Sequence, residues 1–173
     1  MVTRDYCITM ADYNSWMNAK MYGLCASMAD ADRKKDQRAF FRSIHSTLNH
    51  ILACDLSFMA SFAGTAQPPE TDGDLHQHFD DLRRERTLVD QQIEAWSHSV
   101  QPGWLQSPST YTHNEDGIPR VVTRGFWVVH MFNHQTHHRG QVSTLLTQMG
   151  HDIGSTDLHA SVPLPRAGAL ESP

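Results

Sequence analysis

The stretch that most constrains the fold is Val129 to Met149, VHMFNHQTHHRGQVSTLLTQM, which holds no proline and a single glycine, Gly140. Phe126, Val129, Val142, Leu145, Leu146 and Met149 recur at three-four spacing, which predicts one long helix. Four histidines lie in it: His130, His134, His137 and His138. His134 and His138 are four apart, so their imidazoles share one face a single turn apart. Two ring nitrogens so placed can reach one cation about 2.0–2.1 Å from each. A divalent metal site is therefore the leading expectation.

The rest of the chain supplies partners for that helix. A first helix is predicted over about 11–28, with Tyr13, Met17, Met21, Leu24 and Met28 on one stripe and Trp16 beside them. A second runs over about 37–62 on Phe41, Ile44, Leu48, Ile51, Leu52, Phe58, Met59 and Phe62. Gly64 and Pro68-Pro69 stop it. Residues 65–73 read as a linker. Asp74 is a candidate N-cap for a third helix reaching about His98, striped by Leu75, Phe79, Leu82, Leu88 or Val89, Ile93 and Trp96. The opposite face of that helix, with Asp80, Arg83, Arg84, Glu85 and Arg86, reads as solvated. Pro102, Gly103, Pro108, Gly117 and Pro119 rule out a long helix over 101–123. There, 111–113 and 121–123 form a candidate short β-hairpin around 114–117. The histidine helix then starts near Thr123 and stops at Gly150. Four long amphipathic segments make an all-α four-helix bundle. It occupies residues 1–160 as one domain, followed by an irregular tail over 161–173 with Pro163, Pro165 and Pro173.

Composition narrows the function. At 173 residues, 39% hydrophobic and 19% charged, the chain is globular and long enough for a real core. A formal net charge of −5 argues against nucleic-acid binding, because a phosphate-backbone binder shows a basic patch. Three cysteines, Cys7, Cys25 and Cys54, with no CxxC, point to a reducing compartment rather than a disulfide framework. Arg4, Asp5 and Asp12 interrupt any signal-peptide-like run, and no 18 consecutive residues are apolar. A cytoplasmic protein with no membrane partner is expected.

Two histidines do not make a tight site. Zinc, nickel or iron wants at least three protein ligands, with a position left open for catalysis. On the second helix the candidates are His45, His50, Cys54 and Asp55. At 100° per residue Asp55 falls inside the apolar stripe, His45 at one edge, and His50 and Cys54 beyond the other. Periodicity permits His50 without choosing it. Cys54 reads as a small core residue. Asp55 in an apolar stripe must be paired, either orienting a histidine or meeting Arg139. His130 reads as a ligand or as a cap on the site, and His137 as an edge residue that hydrogen-bonds. Gln141 shares the face of His134 and suits a partner of a ligating imidazole. Gly140 in mid-helix costs about 1 kcal/mol against Ala, which predicts a close contact there.

Three motifs together resemble the DinB family, a DinB/YfiT-like metalloenzyme superfamily. They are Tyr13-Asn14-Ser15-Trp16-Met17-Asn18, Leu48-Asn49-His50-Ile51-Leu52 with Asp55, and Phe132 through Gln141, FNHQTHHRGQ. The segment Gly154-Ser155-Thr156-Asp157-Leu158 is similar to it as well. The resemblance implies an up-down-down-up bundle and a divalent metal, commonly zinc or nickel. It places the ligands on His50, His134 and His138. It also implies a homodimer and a small-molecule substrate. The implied activity is that of a metal-dependent hydrolase or a transferase using a low-molecular-weight thiol such as bacillithiol or mycothiol. The chain departs from the family pattern at Leu56, Phe58 and Ser61, where a basic residue, a tryptophan and an arginine are expected. In the hydrolytic version a metal lowers the pKa of water towards about 7, with His130 or His137 as candidate bases. In the transferase version it holds a thiol as thiolate. The alternative is a non-catalytic, metal-stabilised dimeric stress-response or binding module. No catalytic residue is singled out beyond the ligands.

Overall fold

The computed structural model describes residues 2–68, 73–112 and 115–161. Four long helices dominate: α1 (Arg4–Ala26), α3 (Ile44–Ala63), α4 (Phe79–Ser99) and α6 (Arg124–Gln148). The short helices α2 (Asp30–Lys34) and α5 (Pro102–Gln106), the strands β1 (Pro108–Thr112) and β2 (Pro119–Thr123), and a 3-10 turn at Leu158–Ala160 complete the fold. The predicted tail beyond residue 161 lies outside the described residues.

Cross-helix contacts give the topology. Tyr22 stacks on Phe79, and Asn14 and Asn18 reach Asp90, so α1 and α4 run antiparallel. Asp55 pairs with Arg86 and Phe62 stacks on Trp96, so α3 and α4 run parallel. His50 meets His138 while Phe58 meets His130, so α3 and α6 are antiparallel. Tyr6 touches Phe132 and Asn14 touches Arg139, so α1 and α6 are parallel. In chain order this is up-down-down-up. A parallel neighbour cannot be reached by a tight turn, and the connection from Ala63 to Phe79, the crossover, is accordingly long.

Local chemistry sets the helix ends. Thr3, Ser43 and Thr123 cap α1, α3 and α6, accepting from the backbone N–H of Tyr6, Ser46 and Phe126. Gly64 closes α3 at φ 68°, and Gly150 follows α6 at φ 83°, both in the left-handed region that glycine occupies without a steric cost. Gly125 is needed for another reason: a Cβ there would lie 3.1 Å from the Leu105 carbonyl oxygen of α5. β1 and β2 pair antiparallel with Thr110 opposite Val121 and Tyr111 opposite Arg120. His113 and Asn114 of the predicted hairpin fall outside the described residues.

Several boundaries and faces differ from the sequence expectation. Helix α3 starts at Ile44 and not near residue 37, because Arg38 and Arg42 take left-handed φ values of 57° and 67° in a loop that Asp36 pins through Arg42. Helix α1 begins seven residues earlier than periodicity marks, and α4 begins at Phe79 without a side-chain cap. Asp74 does not cap α4; it accepts from the Ser46 hydroxyl. Phe126 and Val129 are 46% and 40% exposed. The buried face of α6 runs instead through Val128, Met131, Phe132, Gln135, His138, Arg139 and Val142. On α4 Val89 is buried and Leu88 exposed. Gly140 has nothing within 4 Å of its ideal Cβ, so the expected close contact is absent.

Candidate metal centre

The expected pair, His134 and His138, projects from α6 towards α3, where His50 meets it. One ring nitrogen from each of His50, His134 and His138 lies within 4.8 Å of the others. Nε2 of His50 and Nε2 of His134 are 3.1 Å apart. Two ligands about 2.05 Å from one ion sit about 2.9 Å apart at a right angle and about 3.4 Å apart at the tetrahedral angle, so this spacing fits a shared cation. Nδ1 of His134 is buried without a hydrogen-bond partner among the described residues. Among the described residues the ring's polar contact is therefore Nε2 of His50, and the three imidazoles suit a divalent ion.

The surroundings keep these rings neutral. Burial, then the neighbouring His138, pushes His50 down to about 4. Burial, then the neighbouring imidazoles, pushes His134 down to about 4 as well. Burial also lowers His138, opposed by its bond to Gln141. Neutral imidazoles present the lone pairs that a metal needs. Nδ1–H of His138 donates to Oε1 of Gln141 at 2.8 Å, which leaves Nε2 of His138 as the nitrogen whose lone pair is free. Phe41 stacks on His50 with ring centroids 3.9 Å apart and packs edge-on to His138.

The other candidates lie elsewhere. His45 is buried at the far edge of α3, with Nε2 on the His76 carbonyl oxygen. Cys54 is not a core residue: it is half-buried beside the cluster, Sγ 3.7 Å from Nε2 of His50, and burial raises its thiol to about 11. His130 is exposed, one turn from His134 and packed against Phe58 and Trp127. His137 is exposed and receives Nε2 of Gln141 at 3.3 Å.

Asp55 meets neither a histidine nor Arg139. It accepts from Nη1 of Arg86 at 2.5 Å and from Nε2 of Gln135 at 2.9 Å. Arg86, read from the sequence as solvated, is 2% exposed, and its other arm pairs with Asp90 at 2.9 Å. Asp90 accepts from Asn14 and Asn18, and Asn14 accepts from Arg139. A polar layer thus crosses all four helices beside the histidines. Its two carboxylates and two guanidinia balance, which is what permits burial. Burial pulls Asp55 and Asp90 upward and Arg86 opposes it in both. Gln135, next to His134, ties the rotation of α6 to that layer. The sequence signal was present: Arg86 and Asp90 are four apart and in register with Leu82, Val89 and Ile93.

A cavity of about 1000 Å³ opens beside His50, walled by α3, the 36–43 loop, the crossover, β1 and Trp127 of α6. Leu56, Phe58 and Ser61, the three departures from the family pattern, all line it. The arrangement can hold a cation on one wall of a chamber large enough for a small molecule.

Comparison with known proteins places this geometry. A sequence model of the DinB family matches residues 1–163. Protein DinB of Bacillus subtilis (strain 168) is 23% identical over 167 residues, covering 88% of this chain and 91% of the relative. Among solved structures, YfiT from Bacillus subtilis, described as a probable metal-dependent hydrolase with an unusual four-helix bundle topology, superposes with a TM-score of 0.67. That match has 11% identity and covers 88% of this chain and 92% of the other. At that identity the likeness concerns the fold. With the family's pattern running through nearly its whole length, the chain belongs to the DinB family.

Proposed function

We propose that this protein is a divalent-metal-dependent hydrolase acting on a small molecule, with His50, His134 and His138 as ligands. The observation that carries the reading is a cluster of three neutral imidazoles, one of which, His50, lines the wall of a cavity. A non-catalytic metal staple needs no such chamber. The description of YfiT as a probable metal-dependent hydrolase supports the same reading. When bound, a divalent cation supplies Lewis acidity, enough to bring the pKa of water from about 15.7 towards about 7 or to hold a thiol cosubstrate as thiolate. Gln141 holds the His138 tautomer, the polar layer through Gln135 sets the pitch of α6, and Phe41 shields the His50 ring from solvent.

Elemental analysis of untagged protein tests the site. About one zinc or nickel per chain is expected in the wild type, with loss of most of it in His50→Ala and in His134→Ala. Stoichiometric metal retained by His134→Ala would refute the ligand set. Metal-dependent turnover of an ester panel, absent from both variants, tests the hydrolytic reading, and a parallel panel of thiols with electrophiles tests the transferase version.

A further inference from the structure

Of the clustered histidines, His50 lines the cavity; a substrate would meet the rest of the wall. Six aromatic rings line it: Phe40, Phe41, Phe58, Phe62, Tyr111 and Trp127. On α3 the small residues Ala53, Ser57 and Ser61, each four apart, make a shallow floor beside the row of Phe58 and Phe62. Two lining side chains carry charge at neutral pH, Arg42 and Asp74. The Arg42 guanidinium is taken by Asp36, at 2.8 and 3.1 Å. Asp74 accepts from Ser46 and lies 3.8 Å from Nε2 of His45. Among the described lining residues the one guanidinium is thus already paired, and the remaining polar side chains are neutral: hydroxyls, the amides of Asn49 and Gln67, the Cys54 thiol and the His50 imidazole. Away from the His50 end, where a bound cation would sit, an anion would lie against rings without an unpaired counter-charge among the described residues, which is costly. An uncharged flat ring would find stacking partners on several sides.

We infer that the cavity selects an uncharged, aromatic-bearing small molecule, its ring over the floor of α3 and its polar reactive group at the His50 end. This names the substrate class for the proposed metal-dependent function and rests on that reading for its catalytic meaning, though not for binding itself.

Two fluorescent probes of nearly the same shape separate charge from size: neutral N-phenylnaphthylamine and anionic anilinonaphthalene sulfonate. Titrated into the full chain, with and without added zinc, the neutral probe is expected to bind about tenfold or more tightly. Ala53→Trp, which fills the floor, should weaken the neutral probe about tenfold. Ser61→Arg, on an exposed stretch of α3 that tolerates a long side chain, should shift the preference towards the sulfonate. Equal or tighter sulfonate binding in the wild type overturns the inference, as does neutral-probe affinity unchanged by Ala53→Trp in a natively helical variant. Because binding is read without metal, the two readings fail separately. A metal-free wild type with strong neutral preference sinks the catalytic proposal alone, and a metal-loaded protein that prefers the sulfonate sinks this one alone.

Discussion

Replacing Arg86 by methionine should be among the most damaging single changes in the bundle. Arg86 is the direct ion-pair partner of both Asp55 and Asp90. Those carboxylates are 0% and 7% exposed. The other guanidinium of the layer, Arg139, bonds to Asn14 and Thr136. Methionine keeps much of the volume, so the packing loss is small, but two buried carboxylates then face one distant cation. Stranding buried charge in this way costs about 3–5 kcal/mol, a large share of the roughly 5–15 kcal/mol that holds a typical domain together. The melting temperature should fall by about 10 °C or more. Urea unfolding followed by circular dichroism gives the number, and its pH dependence identifies the cause. In the variant the unpaired carboxylates have folded pKa values above their unfolded value of about 3.9. The folded form then holds protons that the unfolded form releases. Their contribution is therefore fully present below the unfolded pKa and is lost as pH rises through the folded one. The deficit against wild type should be larger at pH 8 than at pH 5. A plain packing defect would give equal deficits. Adding Asp55→Asn to Arg86→Met should cost about 1–3 kcal/mol less than the sum of the two single changes, and this pair carries the test if Arg86→Met alone yields no soluble protein. A loss below about 1 kcal/mol, with no pH dependence, would refute the claim that Arg86 neutralises the layer.

Other outcomes follow from the same geometry. Gln141→Leu removes the acceptor that holds Nδ1–H of His138; metal affinity, read by chelator competition, should drop about 10–100-fold with the fold intact. With His50 and His134 pushed down to about 4, both rings are nearly proton-free at pH 6. Zinc titration calorimetry at pH 6 in two buffers of different ionisation heat should therefore show little proton release from them, whereas rings at the ordinary 6.5 would each release about three-quarters of a proton. These depressed values also mean that the two rings' contribution to the stability of the metal-free protein, read by urea unfolding, is fully present above about 6.5 and is lost as pH falls through about 4. Gly140→Ala should stabilise by up to about 1 kcal/mol, since the position is helical, exposed and has nothing within 4 Å of the added carbon; destabilisation in a thermal melt would contradict that.

What the sequence revealed, and what it hid, follows from the range of each signal. The His134 and His138 pair was legible because four residues on one helix fix a spacing without help from the rest of the molecule. The third histidine of the cluster was not, since periodicity marks faces and only tertiary packing says which neighbour a face meets. Resemblance selected His50, and packing brings its ring to the pair, while Asp55 is consumed by Arg86 and His45 is turned to the His76 carbonyl. Arg86 was misread because it ends a charged run, although its spacing to Leu82, Asp90 and Ile93 puts it on the inner face. Phe41 was assigned to a helical stripe that does not extend so far; left-handed arginines on either side of it, Arg38 and Arg42, keep it in a loop, from which its ring stacks on His50. Phe126 and Val129 had helical spacing but lie on the outward side of α6, where spacing alone cannot tell inside from outside.

The parallel course of α3 and α4 obliges the chain to travel back the length of a helix, about 30 Å, before α4 can start. That return passes beside the histidines: Asn49 bonds it at His76, while Gln67 and Pro68 on one side and Asp74 and Leu75 on the other form part of the chamber wall. A connection demanded by topology therefore doubles as a wall of the chamber. Changes in its length and lettering would reshape that chamber while the four rods and their clustered imidazoles stay as they are, so the pocket can be re-cut by editing one strap.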